Sequence, residues 1–585
     1  MSIRIVVACL ISAVLATSLS AQPSSVEREM AREAAAKEGP IPKYIRDETP
    51  EQRKARLATT EDPGLDPDPE RIWWRLGHAY KIEKYDRHWA AYDREVGYVR
   101  PLAMANFAFE IYQQNDKFVW VWMPQLPEPG SANAMTGDAP AERVTPYTPP
   151  QIAYLKMIVP EYEPLSVPAA GKKITFRPSS NGLPQTGSWR NSLDVADMNG
   201  DGHLDIITPP QRGGAGTIPA IFLGDGKGNW TPWDSVIWPY EIQYGSVAAG
   251  DFNNDKKMDL VFGIHLVGLR VFLGDGKGNF VDGSAGLEAG DFTTRRVTTA
   301  DVDRDGNLDI VTIYEGPAPG RQAKFRGGKL RVYLNENKGT RWRAVDVAGP
   351  TDYVGGDWVA VGKFNDDKYP DFVGSSNFFQ GTDLLYRSKG REKWDKVDGR
   401  DGELIPFLSI YTAVTAARLS SKRYDDAVIS YQRSWPDNID PSIVPTPSLS
   451  MVTGIDRIAF DGKAPRRVPI VRHDSRGQIT GLASADFDGD GNQDLIYMKS
   501  DPREFVILLG DGKGGFKQAA IEGLNAEMKP SYDIKVADVN QDGRPDVLVM
   551  YESTAMSSLG LQDGSIQVFL NQGVSAEKEM TAAAK

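Results

Sequence analysis

DVADMNGDGHLDIIT, residues 194–208, compresses an apolar small-residue strand, an acidic turn and a β-branched strand into fifteen residues. Six further stretches align with it without gaps: AAGDFNNDKKMDLVF (248–262), TTADVDRDGNLDIVT (298–312), AVGKFNDDKYPDFVG (360–374), TAARLSSKRYDDAVI (415–429), ASADFDGDGNQDLIY (483–497) and KVADVNQDGRPDVLV (535–549). Their first turn positions are 197, 251, 301, 363, 418, 486 and 538, a repeat of 50 to 68 residues. Most units continue into a third strand that ends in a glycine turn, as in IFLGDGKGNW (221–230), VFLGDGKGNF (271–280), VYLNENKGTRW (332–342) and ILLGDGKGGF (507–516). An aromatic residue then opens a fourth strand. Four strands per unit, repeated seven times, is the arithmetic of propeller blades. The sequence therefore predicts an all-β fold, a seven-bladed β-propeller over residues 172–574. The last unit stops at QVFLNQG (567–573), while KKITF (172–176) precedes the first unit without a partner. The N-terminal strand is expected to complete the last blade, a closure that removes open sheet edges.

Five turns have the form D-x-[DN]-x-D-x-x-x-D, with glycine at the sixth position in four of them. Their oxygen-bearing residues are Asp197, Asn199, Asp201 and Asp205; Asp251, Asn253, Asp255 and Asp259; Asp301, Asp303, Asp305 and Asp309; Asp486, Asp488, Asp490 and Asp494; and Asp538, Asn540, Asp542 and Asp546. Alternate residues of a tight loop turn their oxygens inward together, and a hard cation such as calcium takes six to eight of them. The seventh residue, His203 in the first turn, would offer its backbone carbonyl and face solvent. Position twelve is Thr208, Phe262, Thr312, Tyr497 or Val549, so no glutamate closes the shell and a helical EF-hand is excluded. The ninth aspartate is expected to serve in its place. Turn formation alone would account for one such loop. Five with four oxygen ligands each point to about five Ca²⁺ sites.

Two copies have lost the pattern. Lys363 replaces the first aspartate in the fourth, and Arg418, Ser420 and Lys422 leave only Asp426 in the fifth. There a fixed cation is expected to hold the turn without metal. In the second copy Lys256 stands for the glycine beside Lys257, which predicts the weakest site of the five. The intact turns hold 17 of the 79 acidic residues, so much of the net charge of −12 is assigned to ligands. That acidity, with no long basic run, argues against nucleic acid and anionic membrane as partners.

The chain has 585 residues and one cysteine, Cys9. Arg4, the apolar run Ile5 to Leu15 and the small residues Ala16 to Ala21 read as a cleaved signal peptide over residues 1–21, too short to span a bilayer. A secreted or periplasmic protein follows, with no membrane span. The apolar core lies mostly after Cys9, the wrong order for a lipidation signal. Loss of that cysteine would exclude disulfides, thiolate metal sites and a cysteine nucleophile. Residues 22–70 read as a polar arm, 71–123 as a small aromatic-rich α+β cap, 124–171 as a Pro-rich connector and 575–585 as a flexible tail. Within the cap the first half is expected to be helical, and FAFEIYQQ (107–114) with KFVWVWM (117–123) to form a hairpin around Asn115 and Asp116.

The repeats resemble the FG-GAP or VCBS repeats of integrin-α type propellers. The resemblance implies the fold and calcium. It does not fix activity, since similar propellers serve adhesion, lectin-like binding, scaffolding and, in some lyases, catalysis. It also implies that ligands use the face opposite the acidic turns. Residues shortly before each turn should ring that mouth: Trp189, Arg190, Tyr244, Arg295, Arg296, Tyr411 and Tyr532, with Asp357 close by. Aromatics and arginines suit sugar rings, carboxylates or a protein hot spot. The function expected is a binding or interaction module for a glycan or protein partner, which makes an enzyme the less favoured reading. The alternative is a lyase-like polysaccharide-active enzyme, with His265 or His473 as base. No GxSxG, HExxH, P-loop or dinucleotide motif is present.

Overall fold

The computed structural model describes the backbone of five strands between residues 82 and 124, and residues 165–576 apart from loop residues 213–217, 266, 288–291, 316–327, 350, 351, 353, 376–384, 398–408, 434–451, 461–464, 474–477, 501–502, 526–530 and 553–563. The leader, the polar arm, most of the connector and the tail beyond 576 lie outside the described residues. Two compact units are present, the N-terminal strands falling in one and the repeats in the other.

In the N-terminal unit, Ile82–Tyr85, His88–Asp93 and Gly97–Leu102 form a three-stranded antiparallel sheet. This overturns the helix expected in the first half of the cap. Gly97 and Pro101 break helices, and Trp89, Tyr92 and Tyr98 favour extended backbone. The hairpin Phe107–Gln114 with Lys117–Pro124 is as read, Gln114 pairing with Lys117 across Asn115 and Asp116. The described part of this unit is β, not α+β.

In the repeat unit, strands Asp194–Ala196, Asp205–Thr208, Ala220–Gly224 and Trp230–Pro232 form a four-stranded antiparallel meander. Four more four-stranded sheets follow, and the last seven strands join with the early strand Ala169–Pro178 in one eight-stranded sheet. First strands of successive sheets lie side by side, from Asp194–Ala196 through Gly245–Gly250 to Ile534–Ala537. The last sheet packs on the first through Val539, Leu548, Ile566 and Leu570 against Leu193, Ile206, Phe222 and Trp230. The result is an all-β, propeller-like fold with no helix among the described residues.

Each sheet is covered by a neighbour on both faces, so its inner strands are apolar throughout rather than alternating. Asp259–Ile264 and Asp546–Tyr551 are buried at every residue. Fourth strands open to solvent after a buried aromatic, as at Trp230, Phe280 and Trp342; Val281 is 62% exposed beside buried Phe280.

The strand Ala169–Pro178 runs antiparallel to the C-terminal strand Ser565–Ala576, with Phe176 opposite Asn571 and Ile174 opposite Val574. It also pairs in parallel with Phe516–Glu522, Ile174 meeting Ile521. The first pairing matches the sequence reading; the second joins the edges of the last two repeats. Ile174 is fully buried in the cluster spanning both. Truncating Ile174→Ala should cost about 3 kcal/mol in urea denaturation, the usual loss for a buried aliphatic side chain. A change within error of zero would show that the strand does not hold the ring closed.

Candidate metal turns and a charged ring at the loop ends

Each intact turn is wound by its own carboxylates. Asp197 Oδ1 accepts from the amides of Gly200 at 2.7 Å and Asp201 at 3.1 Å, and its Oδ2 accepts from Gly202 at 2.9 Å. Asp201 in turn accepts from His203 N at 2.8 Å. The fourth and sixth positions are left-handed: φ is 77° and 88° at Gly200 and Gly202, and 60° and 66° at Asn254 and Lys256. A Cβ at Gly202, Gly306, Gly491 or Gly543 would meet nothing within 4 Å. Backbone conformation alone therefore asks for glycine there.

The ninth aspartate occupies a different environment. Asp205, Asp259, Asp309, Asp371, Asp426, Asp494 and Asp546 are at most 1% exposed. In six of the seven, one oxygen accepts the amide of the turn's second residue and the other the amide that starts the glycine turn. For Asp259 these donors are Phe252 N and Gly274 N, both at 2.8 Å. Burial, assisted by the turn's other carboxylates, pushes the ninth carboxyl up to about 6 in Asp205 and Asp546 and about 7 in Asp259, Asp309 and Asp494.

One oxygen from each of Asp301, Asp303 and Asp309 lies within 4.8 Å of the others, and the same holds for Asp486, Asp488 and Asp494. These acidic clusters could hold a metal ion, and an all-oxygen donor set suits a hard cation. The two degenerate turns are held differently from the sequence expectation. In the fourth, the Ser388 hydroxyl and Asn365 Nδ2 satisfy Asp367 and Asp371, and Lys363 contributes its backbone, its amide donating to Asp425 Oδ2 and its carbonyl accepting from Asp425 N, both at 2.8 Å. In the fifth, Asp426 receives Ser420 Oγ at 2.9 Å and Arg457 Nη1 at 3.3 Å, while Arg418 faces Asp425. His203 does not face solvent freely: its ring packs over Gly226, with Nδ1 buried.

At the other ends of the strands, five of the seven proposed mouth residues enter one network. Arg190 lies 4.2 Å from the Tyr532 ring and 3.2 Å from Glu552, which also receives Arg212. Arg212 stands 5.8 Å from the Tyr244 ring, which packs on His265 at 4.8 Å. His265 Nδ1 meets buried Glu315 at 2.7 Å, and Arg295 bridges Glu315 and Asp357 at 3.2 and 2.7 Å. Arg296 reaches Asp533 at 2.7 Å and stacks on Trp358 at 4.3 Å. Arg296 precedes the third sheet and Asp533 the last, so this pair crosses the middle of the ring. Burial opposes the charged carboxylates, yet Arg190 and Arg212 hold Glu552 below its usual range, and Arg295 does the same for Asp357. At Asp533 burial prevails over Arg296 and the carboxyl is raised.

Two proposed mouth residues fall outside this network. Trp189 is a 5% exposed core residue whose Nε1 donates to Thr186 O at 3.0 Å. Tyr411 pairs with Tyr431 in its sheet, and its side chain lies outside the described residues. His473 donates to or accepts from Tyr497 Oη at 2.8 Å, and burial, with Lys499 nearby, lowers its pKa to about 4. That side chain is a packed neutral imidazole, not a base in the network. The sequence reading missed Arg212, Glu315, Asp533, Glu552 and Trp358. A signal existed: His265, Glu315 and Glu552 each stand six residues after a ninth aspartate.

A profile for FG-GAP-like repeats matches residues 213–262 and 473–549. The chain carries FG-GAP-like repeats. No curated protein matches it in sequence. Among solved structures, the V. cholerae biofilm matrix protein Bap1 is 12% identical, covering 69% of this chain and 91% of its own at a TM-score of 0.32. The BP39L lectin from Burkholderia pseudomallei is 13% identical over 71% of this chain and 97% of its own, at 0.40. BBS1N, solved in complex with ARL6DN, is 9% identical over 67% and 97%, at 0.38. At such scores none of these likenesses bears on function. No helix among the described residues is long and apolar enough to cross a membrane.

Two measurements test the FG-GAP turns. Lys256→Gly should stabilise the protein by up to about 1 kcal/mol by removing a left-handed lysine; a loss on denaturation would mean that the Lys256 side chain supports the turn. The raised ninth-position pKa values set the pH response: their contribution is complete below about pH 4 and lost as pH climbs through 6 to 7. Chelated protein should therefore melt at falling temperatures from pH 4 to 7, and a melting temperature that rises across this window contradicts that burial effect.

Proposed function

We propose that the protein is an exported, calcium-stabilised seven-bladed β-propeller that serves as a binding module for a glycan or protein partner. Seven repeats, the last completed by the N-terminal strand, support the blade count. Five all-oxygen turns support about five Ca²⁺ sites, with Asp, Asn and the seventh carbonyl as ligands and the second-copy turn weakest. The leader-like residues 1–21 support export, to the periplasm or beyond.

The observation that carries the binding reading is the convergence of Arg190, Arg212, Tyr244, Arg295, Arg296 and Tyr532 at one end of the sheets. Their guanidiniums are already held by Glu315, Asp357, Asp533 and Glu552. Such a rigid, charge-balanced array presents fixed donors and acceptors, which suits hydroxyl groups better than a strongly anionic ligand. Arg212 and Asp357, at 28% and 36% side-chain exposure, are the most open members of the paired groups. A glycan array with a parallel pull-down should find a partner, and Arg212→Ala with Tyr244→Ala should weaken it by tenfold or more. Wild-type binding by the double variant would remove the ring from the contact surface. For the metal, chelation should lower the melting temperature and excess calcium raise it by mass action. No shift in either direction would refute structural calcium.

One contact favours the lyase-like alternative. Glu315 at 2.7 Å from His265 Nδ1 would fix that proton and leave Nε2 as an acceptor. Uronic-acid polysaccharides incubated with the protein would then give absorbance from unsaturated products, lost in His265→Ala. A flat trace across a broad panel rejects this second reading.

A further inference from the structure

The five intact turns divide by their third residue. Where it is asparagine, the side-chain amide supplies a donor from within the loop: Nδ2 of Asn199, Asn253 and Asn540 donates to the fifth-position aspartate at 2.9, 3.2 and 3.0 Å. Where it is aspartate, the third residue has no proton to give; in the third turn Asn307 Nδ2 supplies fifth-position Asp305 at 3.0 Å instead. The side chains of Asp303 and Asp488 are nonetheless almost completely buried, at 5% and 1% exposure. An unpaired carboxylate in that position is costly.

In both cases a cation arrives from outside the repeat. Arg391 Nη2 lies 2.6 Å from Asp303 Oδ2, projecting from the hairpin between Leu385–Gly390 and Lys393–Lys396 of the next sheet. Lys172 Nζ lies 2.5 Å from Asp488 Oδ2, projecting from the N-terminal strand Ala169–Pro178. Both stems stay open to solvent, at 58% and 45% exposure, so either head group can withdraw without unpacking a core. A cleft of about 550 Å³, lined by Asp303, Asp305, Glu336, Arg343 and Arg391, gives an ion access to the third turn.

We propose that Lys172 and Arg391 are tethered counter-cations of the two all-aspartate turns, holding Asp488 and Asp303 in the empty loop and weakening a divalent cation's grip there. The inference rests on the calcium reading above and adds residues that tune it. At the sixth turn the counter-cation belongs to the strand that closes the ring, so occupancy of that turn and seating of the strand compete for one carboxylate. Asp488 faces the ammonium on one side and the loop interior on the other, and a second positive charge a few ångströms away opposes the ion.

The test is calcium titration by calorimetry on the full-length chain, with melting temperatures in chelator and in saturating calcium. Lys172→Met keeps the aliphatic stem. It should tighten one class of site by on the order of tenfold, the size a partly exposed charge pair supplies, and should lower the melting temperature in chelator more than in calcium. Arg391→Met should do the same at the third turn. Lys173→Met is the control: it removes an equal charge that pairs with exposed Glu522 and should leave affinity unchanged. Lys172→Met and Arg391→Met that bind calcium no more tightly than Lys173→Met would overturn the assignment while leaving the calcium reading intact. A wild-type titration with no heat and no melting shift would overturn the calcium reading, and this assignment with it.

Discussion

The repeat depends on one buried carboxylate. Aspartate at the ninth turn position is the only acidic residue present in all seven copies, and it is sealed from water in each. In six of them it joins the second residue of its turn to the start of the hairpin turn beyond, as Asp494 joins Phe487 N to Gly510 N at 2.8 Å each. Two amides that no neighbouring strand reaches are satisfied by one side chain, and three strands are fixed in register. Losing the acceptor would strand both donors in a dry interior.

That constraint explains how the fourth turn lost its first aspartate, and the fifth its first, third and fifth ligands, without losing their sheets. Asp371 keeps its bonds to Phe364 N and Ser388 N, and Asp426 is held by Ser420 and Arg457. The outer acidic pattern and the sheet architecture are thus separable in this chain. The residues at positions one, three and five vary between copies. The ninth decides whether the strands align.

Most of the repeat unit was legible because turn chemistry and strand pattern coincide. Glycine at 202 or 306 marks a left-handed position, β-branched residues after Asp205 or Asp309 mark the second strand, and gapless alignment of seven copies fixes the period. The ninth aspartate lies with the outer carboxylates in the third and sixth turns, as its reading as a ligand requires, but its second role was not legible, because side-chain letters say nothing about which backbone amides lack partners. The ring at the loop ends is half visible in the sequence: its arginines and tyrosines stand shortly before the turns, whereas their pairing with Glu315, Glu552 and Asp533 exists only once distant repeats meet in the fold. The helix expected near Trp89 failed because aromatic density was weighed above Gly97 and Pro101. Tyr411 and the leader fall where side chains or backbone are not described.

The strand Ala169–Pro178 is wedged between Phe516–Glu522 and Ser565–Ala576, about 350 and 400 residues later in the chain. During synthesis it emerges before any of the seven units and can seat only after the last has been made. Assembly is therefore timed from its far end: the early segment must stay soluble, which its Lys172 and Lys173 favour, until the carboxyl-terminal hairpin arrives to receive it. A truncated or stalled chain would present two unsatisfied borders at once, so this seam reports on whether the polypeptide was finished.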